Sequence, residues 1–381
     1  MNIAFVSREN AYTSENNGGI GTYTKFVADM LSQNNNVYVI TFGIQYKTII
    51  IDNLYIHIIK KDSLFTNDFE LESHLIEEEI KCIQKKYNVH LDIIEIPEWL
   101  GQASNFKSFR KRIVTKLHTP LFLIEQIENR KIYKNSTKIK FNERRQIKNS
   151  QNIISPSNSL RKIILDELNK NSIVLPNPID VTLIEHSINN IGKYKECYGN
   201  YALFLGRLEK RKGIIDCIPF LKKLIKTFNY NIVFCGRDSL YNHVSVKKQI
   251  NESMSEFQNK LFFIDHLYGN EKYELIKESQ FIFCPSLWEN FSYVSLEAMC
   301  LKKLVIASSV GGFTEQIEDN KSGILIKDWI NYDINLLKEL LTTNNKSYLE
   351  NNAYNRVKST YDSNILKEQY ELIYNNILYG E

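Results

Sequence analysis

The sequence predicts an α/β protein made of two doubly wound, Rossmann-like domains that face each other across a cleft. Short runs rich in Ile and Val alternate with longer amphipathic stretches, which is typical of parallel strands joined by crossover helices. The chain has 381 residues, 43% of them hydrophobic, whereas a single core rarely extends beyond about 250–300 residues. Two cores are therefore expected, with ligands at the carboxyl ends of the strands.

The boundary between the domains is predicted at Pro176-Asn177-Pro178, because proline fixes its own φ and restricts the residue before it to extended conformations. The N-terminal domain then covers residues 1–178 and the C-terminal domain covers residues 179–360. The tail, 361–381, is predicted to be a helix that crosses back to the N-terminal domain.

Each predicted strand is a short apolar run, and the amphipathic segments between strands are predicted helices. The strands of the N-terminal half are Asn2–Ser7, Asn36–Phe42, Ile93–Ile96, Arg112–Leu117 and Asn152–Ser155. Those of the C-terminal half are Tyr201–Leu205, Asn231–Cys235, Leu261–Ile264, Phe281–Cys284 and Leu304–Ala307. The helices are Thr22–Gln33, Asp68–Tyr87, Leu160–Asn169, Ile214–Phe228, Lys272–Glu278 and Val294–Leu301.

Composition excludes several classes of protein. A chain with 43% hydrophobic and 12% aromatic residues is neither disordered nor collagen-like. No stretch approaches the roughly 18 apolar residues that span a membrane, and the N-terminus lacks the segments of a secretory signal. We therefore expect a cytoplasmic protein. The six cysteines form no C-x-x-C pair and are expected to be small buried hydrophobic residues.

A glycine-rich segment, Gly18-Gly19-Ile20-Gly21, follows the first strand and directly precedes a helix. At such a turn, backbone N–H groups and the helix N-terminus can approach a phosphate or a sugar hydroxyl. Eleven residues separate the strand from Gly19, too many for a dinucleotide fingerprint. Gly19 is a candidate ligand contact, and a flexible loop is the alternative.

A second segment, GRLEKRKG at 206–213, places four cations between a strand and a helix. Arg207 can grip phosphate oxygens through its forked guanidinium, and Lys212 acts as a point charge. Lys210 and Arg211 are expected to face solvent. The segment predicts a diphosphate site, with a solvated turn as the alternative.

A third segment, PSLWENFSYVSLE at 285–297, joins a strand to a helix. Glu289 lies at the helix start and Glu297 inside the helix. A carboxylate accepts hydrogen bonds from two neighbouring hydroxyls, which suits a sugar and a ribose. The N–H groups of residues 290–292 are expected to meet phosphate oxygens. Two glutamates at this spacing also arise by chance.

His118 directly follows a strand of the first domain, where an imidazole can donate a hydrogen bond to a ligand or act as acid or base. A structural histidine at a turn is the alternative. The other histidines form no i, i+4 pair, and no Asp-x-Asp is present to bind a magnesium diphosphate. The sequence therefore predicts no metal site.

The charge is uneven along the chain. Residues Lys107–Lys148 hold 13 Lys and Arg against three Glu, a net charge of +10 in a chain with a total of +4. Such a segment indicates a surface that meets an anionic partner, and a solvated helical face is the alternative. Aromatic residues interleave with the cations and are expected to insert at a membrane interface: Phe106, Phe109, Phe122, Tyr133 and Phe141.

Taken in order, these motifs resemble glycosyltransferase family 4, whose members are retaining nucleotide-sugar transferases with the GT-B architecture. The resemblance covers nearly the whole chain, and the ordered combination is more specific than any single motif. The residues that carry it are GGIGTY at 18–23, HTP at 118–120, SPSNSL at 155–160, LPNPID at 175–180, GRLEKRKG at 206–213, VFCGRD at 233–238, PSLWENFSYVSLEAM at 285–299 and GGFTEQIEDNKSGILI at 311–326.

The resemblance implies roles for the C-terminal residues. Arg207 and Lys212 would bind the donor diphosphate in place of a metal, so no cofactor is expected beyond the nucleotide sugar itself. Glu289 would contact hydroxyls of the transferred sugar, and Glu297 would contact the ribose. Donor contacts are also expected from the three residues that directly follow Glu289, which are Asn290, Phe291 and Ser292.

Further roles follow from the same resemblance. Gly19 would line the donor and acceptor side of the cleft, and Gly236 would contact the donor. His118 would hydrogen-bond the donor sugar near the reacting carbon, which makes it a catalytic candidate together with Arg207, Lys212 and Glu289. Backbone around His266 would contact the base.

Two glycines of the family pattern are replaced, since its usual E-G-F-G is Glu289-Asn290-Phe291-Ser292 here. The implied reaction moves a hexose, with retention, from a UDP- or GDP-linked sugar to a glycan or lipid-linked acceptor in cell-surface polysaccharide or glycoconjugate synthesis. The alternatives are a non-catalytic GT-B partner subunit and a nucleotide-sugar epimerase. We expect no nucleic-acid partner. Lys107–Lys148 is expected to dock on an anionic membrane, at the inner face of the cell membrane, or alternatively on a phosphate-bearing lipid-linked acceptor.

Overall fold

The computed structural model describes residues 1–10, 12, 18–60 and 68–380 of the chain. They form two units, one containing Met1–Pro178 with Ser363–Glu381 and the other containing Ile179–Asp362. Each unit has a mainly parallel sheet flanked by helices, so the predicted α/β class with two Rossmann-like folds is confirmed. None of the helices in these ranges has the length and apolar character needed to cross a membrane.

The described strands of the first unit are β1 (Asn2–Val6), β2 (Asn36–Gly43), β3 (Lys47–Ile51), β4 (Leu54–Lys60), β5 (Ile93–Pro97), β6 (Ile113–Lys116), β7 (Asn152–Ser155) and β8 (Ile173–Val174). Their order across the sheet is β3-β4-β2-β1-β5-β6-β7-β8. Only β3 and β4 pair antiparallel among these strands. The chain order reverses at β1, and this switch point is where open α/β sheets bind ligands.

The helices of this part of the chain are α1 (Gly19–Leu31), α2 (Phe69–Tyr87), α3 (Leu121–Glu128), α4 (Ser136–Asn149) and α5 (Asn158–Leu168). Helix α2 illustrates why such segments fold. Its N-cap Asp68 accepts hydrogen bonds from two backbone N–H groups of the first turn. Ile76, Ile80 and Ile83 form one buried stripe that packs in the core with residues of the sheet.

The described strands of the second unit are β9 (Tyr201–Leu205), β10 (Asn231–Cys235), β11 (Leu240–Tyr241), β12 (Val244–Ser245), β13 (Leu261–Ile264), β14 (Phe281–Cys284), β15 (Val305–Ser308) and β16 (Ile324–Ile326). Six of them form a parallel sheet in the order β13-β10-β9-β14-β15-β16. This is the strand order of a dinucleotide-binding Rossmann fold, with its switch point between β9 and β14.

The helices of the second unit are α6 (Val181–His186), α7 (Lys193–Tyr198), α8 (Ile218–Phe228), α9 (Val246–Ser253), α10 (Gly269–Glu278), α11 (Tyr293–Cys300), α12 (Phe313–Gln316), α13 (Ile334–Leu340) and α14 (Thr343–Thr360). The core between the sheet and these helices contains Phe220, Leu221 and Leu224 of α8. Leu224 lies on the same face as both of the others because it follows Phe220 by four residues and Leu221 by three.

Asparagine replaces glycine at helix ends in this glycine-poor chain. The C-cap residues of α2, α3, α5 and α8 are Asn88, Asn129, Asn169 and Asn229, and each has a left-handed backbone. Asparagine tolerates that conformation better than other side chains because its amide can hydrogen-bond locally. The few glycines are thus left for other positions.

The last helix, α15 (Ser363–Tyr379), belongs to the first unit and packs on α1. Tyr374 donates a hydrogen bond to Oε2 of Glu95 at 2.7 Å, and Tyr370 donates one to the carbonyl of Pro176 at 3.0 Å. Both rings are completely buried. Two tyrosine hydroxyls therefore anchor the helix in the core of this unit.

The structure departs from the predicted elements in several places. The β3–β4 hairpin, strand β16 and helix α4 were not among them, since α4 carries polar or charged residues at most positions and β3 is a half-exposed edge strand. The prediction of buried cysteines is wrong for Cys82 and Cys197, which are exposed on α2 and α7, and right for the other four.

Candidate active site

Two loops meet at the switch point of the second unit. One follows β9 and covers residues 206–213, and the other follows β14 and covers residues 285–292. They are neighbours because β9 and β14 pair directly, and the N–H of Leu287 donates to the carbonyl of Arg211 at 2.8 Å. Gly213 has a φ of +68°, and a Cβ there would lie 1.8 Å from the carbonyl oxygen of Pro285. Only glycine permits this approach.

The loops bring Lys212 and Glu289 together. Nζ of Lys212 lies 2.5 Å from Oε2 of Glu289, and Nη1 of Arg211 lies 3.8 Å from the other oxygen. The Glu289 carboxylate is buried, whereas Lys212 is partly accessible. The structure thus joins two of the predicted site residues in one charged cluster.

The prediction that Lys210 and Arg211 face solvent is wrong. The Arg211 side chain is only 11% exposed and donates to Oε1 of Glu209 at 2.8 Å, and Lys210 is paired with Asp216 at 2.6 Å. The sequence could not reveal these pairs, because they depend on how the turn folds back on itself. Burial acts against Glu209, but Arg211 and Arg207 hold the pKa of its carboxyl below the ordinary value.

Arg207 is the accessible cation of this loop. Its side chain is 66% exposed, and its Nε lies 3.5 Å from Oε2 of Glu209. A surface ion pair at this distance contributes little to stability. The guanidinium is therefore available to an incoming anion.

Glu297 lies on α11, the helix that directly follows the loop of residues 285–292. It is 2% exposed, and Lys272 of α10 donates to its Oε1 at 2.7 Å. The predicted N–H donors ahead of this helix are partly used within the protein. The N–H of Ser292 donates to Oε1 of Gln316 at 3.3 Å, so a phosphate would have to replace this partner. Asn290 is also buried.

Phe291 has its ring edge-on to those of Tyr293 and Tyr361, with centroids 5.7 and 5.8 Å away. These ring contacts fix the side chain among other aromatic groups. Gly312 lies against the same loop, since its N–H donates to the Glu289 carbonyl at 2.7 Å. The backbone that carries Glu289 is therefore held on both sides.

Gly236 and His266 follow β10 and β13. The N–H of Gly236 donates to the carbonyl of Ile264 at 3.0 Å, and a Cβ there would lie 2.1 Å from the carbonyl oxygen of Gly206. Gly236 therefore packs against the cation loop. The ring of His266 lies 4.3 Å from that of Tyr268, and burial together with Lys272 and Arg237 lowers the pKa of its imidazole.

In the first unit, the glycine loop is occupied by an internal carboxylate. Oε2 of Glu9 accepts hydrogen bonds from the N–H groups of Gly18 and Gly21, at 3.1 and 2.6 Å. These are the donors at the α1 N-terminus that a phosphate would otherwise use. A Cβ on Gly19, by contrast, would meet no described atom within 4 Å.

His118 lies in a turn after β6, partly accessible. Its backbone N–H donates to both carboxylate oxygens of Glu98, at 2.9 and 2.8 Å, and its ring is edge-on to Tyr23 with centroids 5.2 Å apart. Burial and the nearby Lys116 lower the pKa of the imidazole to about 3. His118 is therefore neutral at physiological pH, suited to give or accept a hydrogen bond.

A buried ionisable network lies beside His118 and was missed by the sequence analysis. Oε1 of Glu95 accepts a hydrogen bond from Tyr23 at 2.6 Å, and Lys116 donates to the carbonyl of Leu175 at 3.0 Å. Burial lowers the pKa of Lys116 to about 7 and raises that of Glu95. The available signal was a charged residue inside an apolar strand, in IIEIP and IVTK.

No group of three or more His, Cys, Asp and Glu side chains that could hold a metal ion occurs among the residues that the structure describes.

Comparison with known proteins extends this description. Residues 192–356 match the family of glycosyl transferases group 1. An uncharacterised glycosyltransferase of Methanocaldococcus jannaschii is 30% identical over 172 residues, which span 44% of this chain and 42% of that protein. Sucrose-phosphate synthase of Thermosynechococcus elongatus has a similar structure over all of both chains, with a TM-score of 0.78 and 17% identity. HepE of Anabaena, solved with UDP and glucose, gives a TM-score of 0.71 at 16% identity over 97% of this chain and 98% of that chain.

Two Rossmann-like units with this likeness over the whole chain define the GT-B class of fold. Residues 192–356 resemble the glycosyl transferases group 1, and the predicted resemblance to glycosyltransferase family 4 is thereby confirmed. The matched segment spans less than half the length of the M. jannaschii relative.

Proposed function

We propose that the protein is a retaining hexosyltransferase that moves a sugar from a UDP- or GDP-linked donor to a glycan or lipid-linked acceptor in cell-surface polysaccharide or glycoconjugate synthesis. The observation that carries the proposal is the cluster of Lys212, Glu289 and Arg211 at the switch point of the second unit, next to the accessible Arg207. A nucleoside diphosphate is the anion that such a cation loop suits.

The cations stabilise the leaving group. When the bond between the anomeric carbon and the diphosphate breaks, negative charge develops on the departing oxygen. At about 4 Å and an effective dielectric of about 20, one unit-charge pair is worth roughly 4 kcal/mol before desolvation. Arg207 and Lys212 supply this charge from fixed positions, so the reaction needs no metal.

Glu289 binds the sugar and is not the nucleophile. Lys212 and Arg211 already engage its two oxygens, which leaves the carboxylate suited to accept hydrogen bonds from hydroxyls. Retention then follows from attack on the same face. The acceptor oxygen bonds to the anomeric carbon, the carbon–phosphate oxygen bond breaks, and the departing phosphate takes the acceptor proton. Neutral His118 hydrogen-bonds the donor sugar.

The remaining assignments follow the same scheme. Glu297 binds the ribose hydroxyls, and backbone near His266 contacts the base. Gly236 lines the donor site beside Arg207, and the glycine loop at Gly19 contacts the donor or acceptor once the Glu9 carboxylate gives way.

Activity assays test the proposal directly. Purified protein is incubated with UDP- and GDP-hexoses, with and without a lipid-linked or glycan acceptor, in buffer containing EDTA. Acceptor-dependent transfer that Lys212→Ala abolishes supports the proposal. Free sugar of changed ring configuration, released with no acceptor, indicates an epimerase. A folded protein that neither transfers nor hydrolyses any donor indicates a non-catalytic partner subunit.

We further propose that the basic segment Lys107–Lys148 docks the cytoplasmic protein on an anionic membrane. Phe141 of α4 is 61% exposed, and the Arg145 guanidinium lies 5.9 Å from its ring centroid. Arg145 also donates to the carbonyl of Ser104, so the loop that bears Lys107 lies against the same helix. Each cation near an anionic surface contributes about 1 kcal/mol.

Two of the aromatic residues that were predicted to insert at a membrane interface lie inside the protein. Phe106 and Phe122 are buried, so neither is free to enter a membrane. Phe141 and Tyr133 are exposed. The aromatic contribution to docking is therefore assigned to these two residues.

Vesicle flotation tests the docking surface. We expect the protein to float with phosphatidylglycerol vesicles and not with phosphatidylcholine vesicles. Lys138→Glu with Lys148→Glu should abolish flotation, whereas Lys248→Glu with Lys327→Glu, the same charge change on the second unit, should not. Equal binding to both lipids, or equal loss in both double variants, contradicts the assignment.

A further inference from the structure

Two buried carboxylates brace the turn that carries His118. Glu98 follows β5 and Glu143 lies on α4, and both are 0% exposed. Glu98 accepts the His118 N–H with both oxygens, as described above. Glu143 accepts the N–H of Leu121 at 2.8 Å through Oε2 and the N–H of Leu100 at 3.1 Å through Oε1. The two acids therefore hold the beginning and the end of the His118–Leu121 turn.

These carboxylates are costly to bury. Burial raises the pKa of Glu98 to about 8, even though backbone N–H groups of His118 and Thr119 favour its ionised form. Burial and the Glu98 charge together raise the pKa of Glu143 well above its usual range. An uncompensated buried charge destabilises a fold. Stability alone therefore gives no reason for two acids at this turn.

We propose that Glu98 is a positioning residue that fixes the backbone of His118, with Glu143 bracing the other end of the same turn. This inference rests on the proposed function, in which His118 contacts the donor sugar. The carboxylate is a better acceptor than a neutral amide, because hydrogen bonds to ionised groups are shorter and about twice as strong. A shift of about 1 Å in a catalytic group can cost about 10²-fold in rate.

The arrangement makes the position of His118 depend on pH. Protonation of Glu98 places a proton on one oxygen and removes part of the acceptor capacity that the His118 N–H uses. The charged groups that act on Glu98 or on His118 are Lys116 from β6 and Glu143 from α4. The pKa of His118 itself is far lower, at about 3. A change in the imidazole signal near pH 8 therefore reports the titration of a neighbouring group.

Kinetics provide the first test. With a saturating soluble acceptor, we expect Glu98→Gln to lower kcat about tenfold, to leave the KM for the donor within twofold, and to remove the acidic limb of the kcat profile. The matched control is Glu274→Gln, because Glu274 is also a buried carboxylate that accepts two backbone N–H groups, those of Asn189 and Asn190. An unchanged kcat and pH profile in Glu98→Gln overturns the proposal.

Nuclear magnetic resonance of the imidazole tests the inference without any activity. In wild-type protein labelled at histidine, with His118→Gln used for assignment, the His118 signal should shift between pH 6 and pH 9. Because Lys116 titrates in the same range, the comparison is made in Lys116→Met, where the shift should persist, should also persist when Glu274→Gln is added, and should vanish when Glu98→Gln is added. A shift that vanishes only in Lys116→Met, or no shift in the wild type, contradicts the inference.

The two experiments separate the two claims. If wild-type protein transfers no sugar while the His118 signal depends on Glu98, the proposed function fails and the positioning role stands. If transfer occurs and depends on His118 but not on Glu98, the reverse holds. Should Glu98→Gln not fold, the wild-type titration with the Lys116→Met control still decides.

Discussion

The two candidate regions of this protein handle charge in opposite ways. In the second unit, Lys212 and Arg211 lie close to the oppositely charged Glu289, and Lys212 and the neighbouring Arg207 are accessible to solvent. In the first unit, Glu98, Glu143 and Lys116 are buried. Burial raises the pKa of the two carboxyls and lowers that of the lysine, so it favours the neutral form of each group. The first arrangement keeps charge available, whereas the second suppresses it.

The difference teaches what each region can do. Paired, accessible charges exchange partners when a ligand brings its own charge, so the second unit is suited to bind a diphosphate. Buried groups with strongly shifted pKa values gain or lose a proton close to neutral pH. Because Glu98 also accepts the backbone N–H of His118, the first unit is suited to hold that residue in place. Substitutions should therefore affect binding and leaving-group stabilisation in one region, and pH dependence in the other.

The largest effect is expected from Lys212→Ala. Removing one preorganised charge at a developing anion typically costs about 10²–10³-fold in kcat. Lys210→Ala serves as the control, because Lys210 is on the same turn but paired with Asp216. Steady-state transfer assays on folded proteins compare the two, and similar rates in both variants would falsify the role of Lys212.

Glu289→Ala comes next, with an expected loss of about 10²-fold in kcat/KM, because hydrogen bonds to a charged group contribute about 1.5–3 kcal/mol each and Lys212 also loses its partner. The control is Glu256→Ala, an exposed glutamate near Lys222. Competition assays with donor analogues that lack single hydroxyls should show discrimination in the wild type and little in Glu289→Ala. Discrimination that survives the substitution places the sugar contacts elsewhere.

Glu297→Gln should act mainly on binding. A ribose contact made equally in the ground and transition states raises KM when it is lost, and one weakened hydrogen bond of about 1.4 kcal/mol corresponds to tenfold. We expect the KM for the donor to rise about tenfold with kcat within twofold. A fall in kcat at constant KM would show that Glu297 acts in the chemical step.

The last expected effect is on stability and not on turnover, through Glu98. Its pKa is raised from 4.5 to about 8, so the folded state binds the extra proton between these values and the free energy of unfolding falls as pH rises through that window. Lys116, with a lowered pKa, acts in the opposite direction at higher pH and is present in both proteins.

The difference in unfolding free energy between Glu98→Gln and wild type should therefore move in favour of the variant from pH 5 to pH 9. The change is at most about 1.4 kcal/mol per pH unit. Urea unfolding at pH 5, 7 and 9 measures it. A constant difference across that range means that Glu98 does not titrate in the fold.

Much of the fold could be predicted from the sequence, because apolar runs mark buried parallel strands whatever their partners. Strands β9, β10, β13 and β14 have the bounds that the apolar runs predicted. Edge strand β3 escaped, since its residues are exposed or half-exposed, and its buried neighbour β4 was missed with it. Helix α4 was missed because most of its residues are polar or charged, including several of those that it buries.

The motifs of the site could be predicted from the sequence, but the hydrogen-bond and ion-pair partners of their side chains and N–H groups could not. The spacing of GRLEKRKG and PSLWENFSYVSLE placed Lys212 and Glu289 after neighbouring strands, but not the burial of Arg211 or the use of the Ser292 N–H by Gln316. These contacts join residues that are distant in sequence or depend on a single turn. Glu98 and Glu143 were missed for the same reason.

The central claim is that the cation loop of the second unit binds the diphosphate of a nucleotide sugar. Isothermal titration with UDP and with GDP, in EDTA, tests it most directly on the wild type, Lys212→Ala and Lys210→Ala. We predict that one of the two nucleotides binds the wild type and Lys210→Ala with similar affinity, and binds Lys212→Ala at least tenfold more weakly. Equal affinity in all three proteins, or no binding of either nucleotide, would contradict the account.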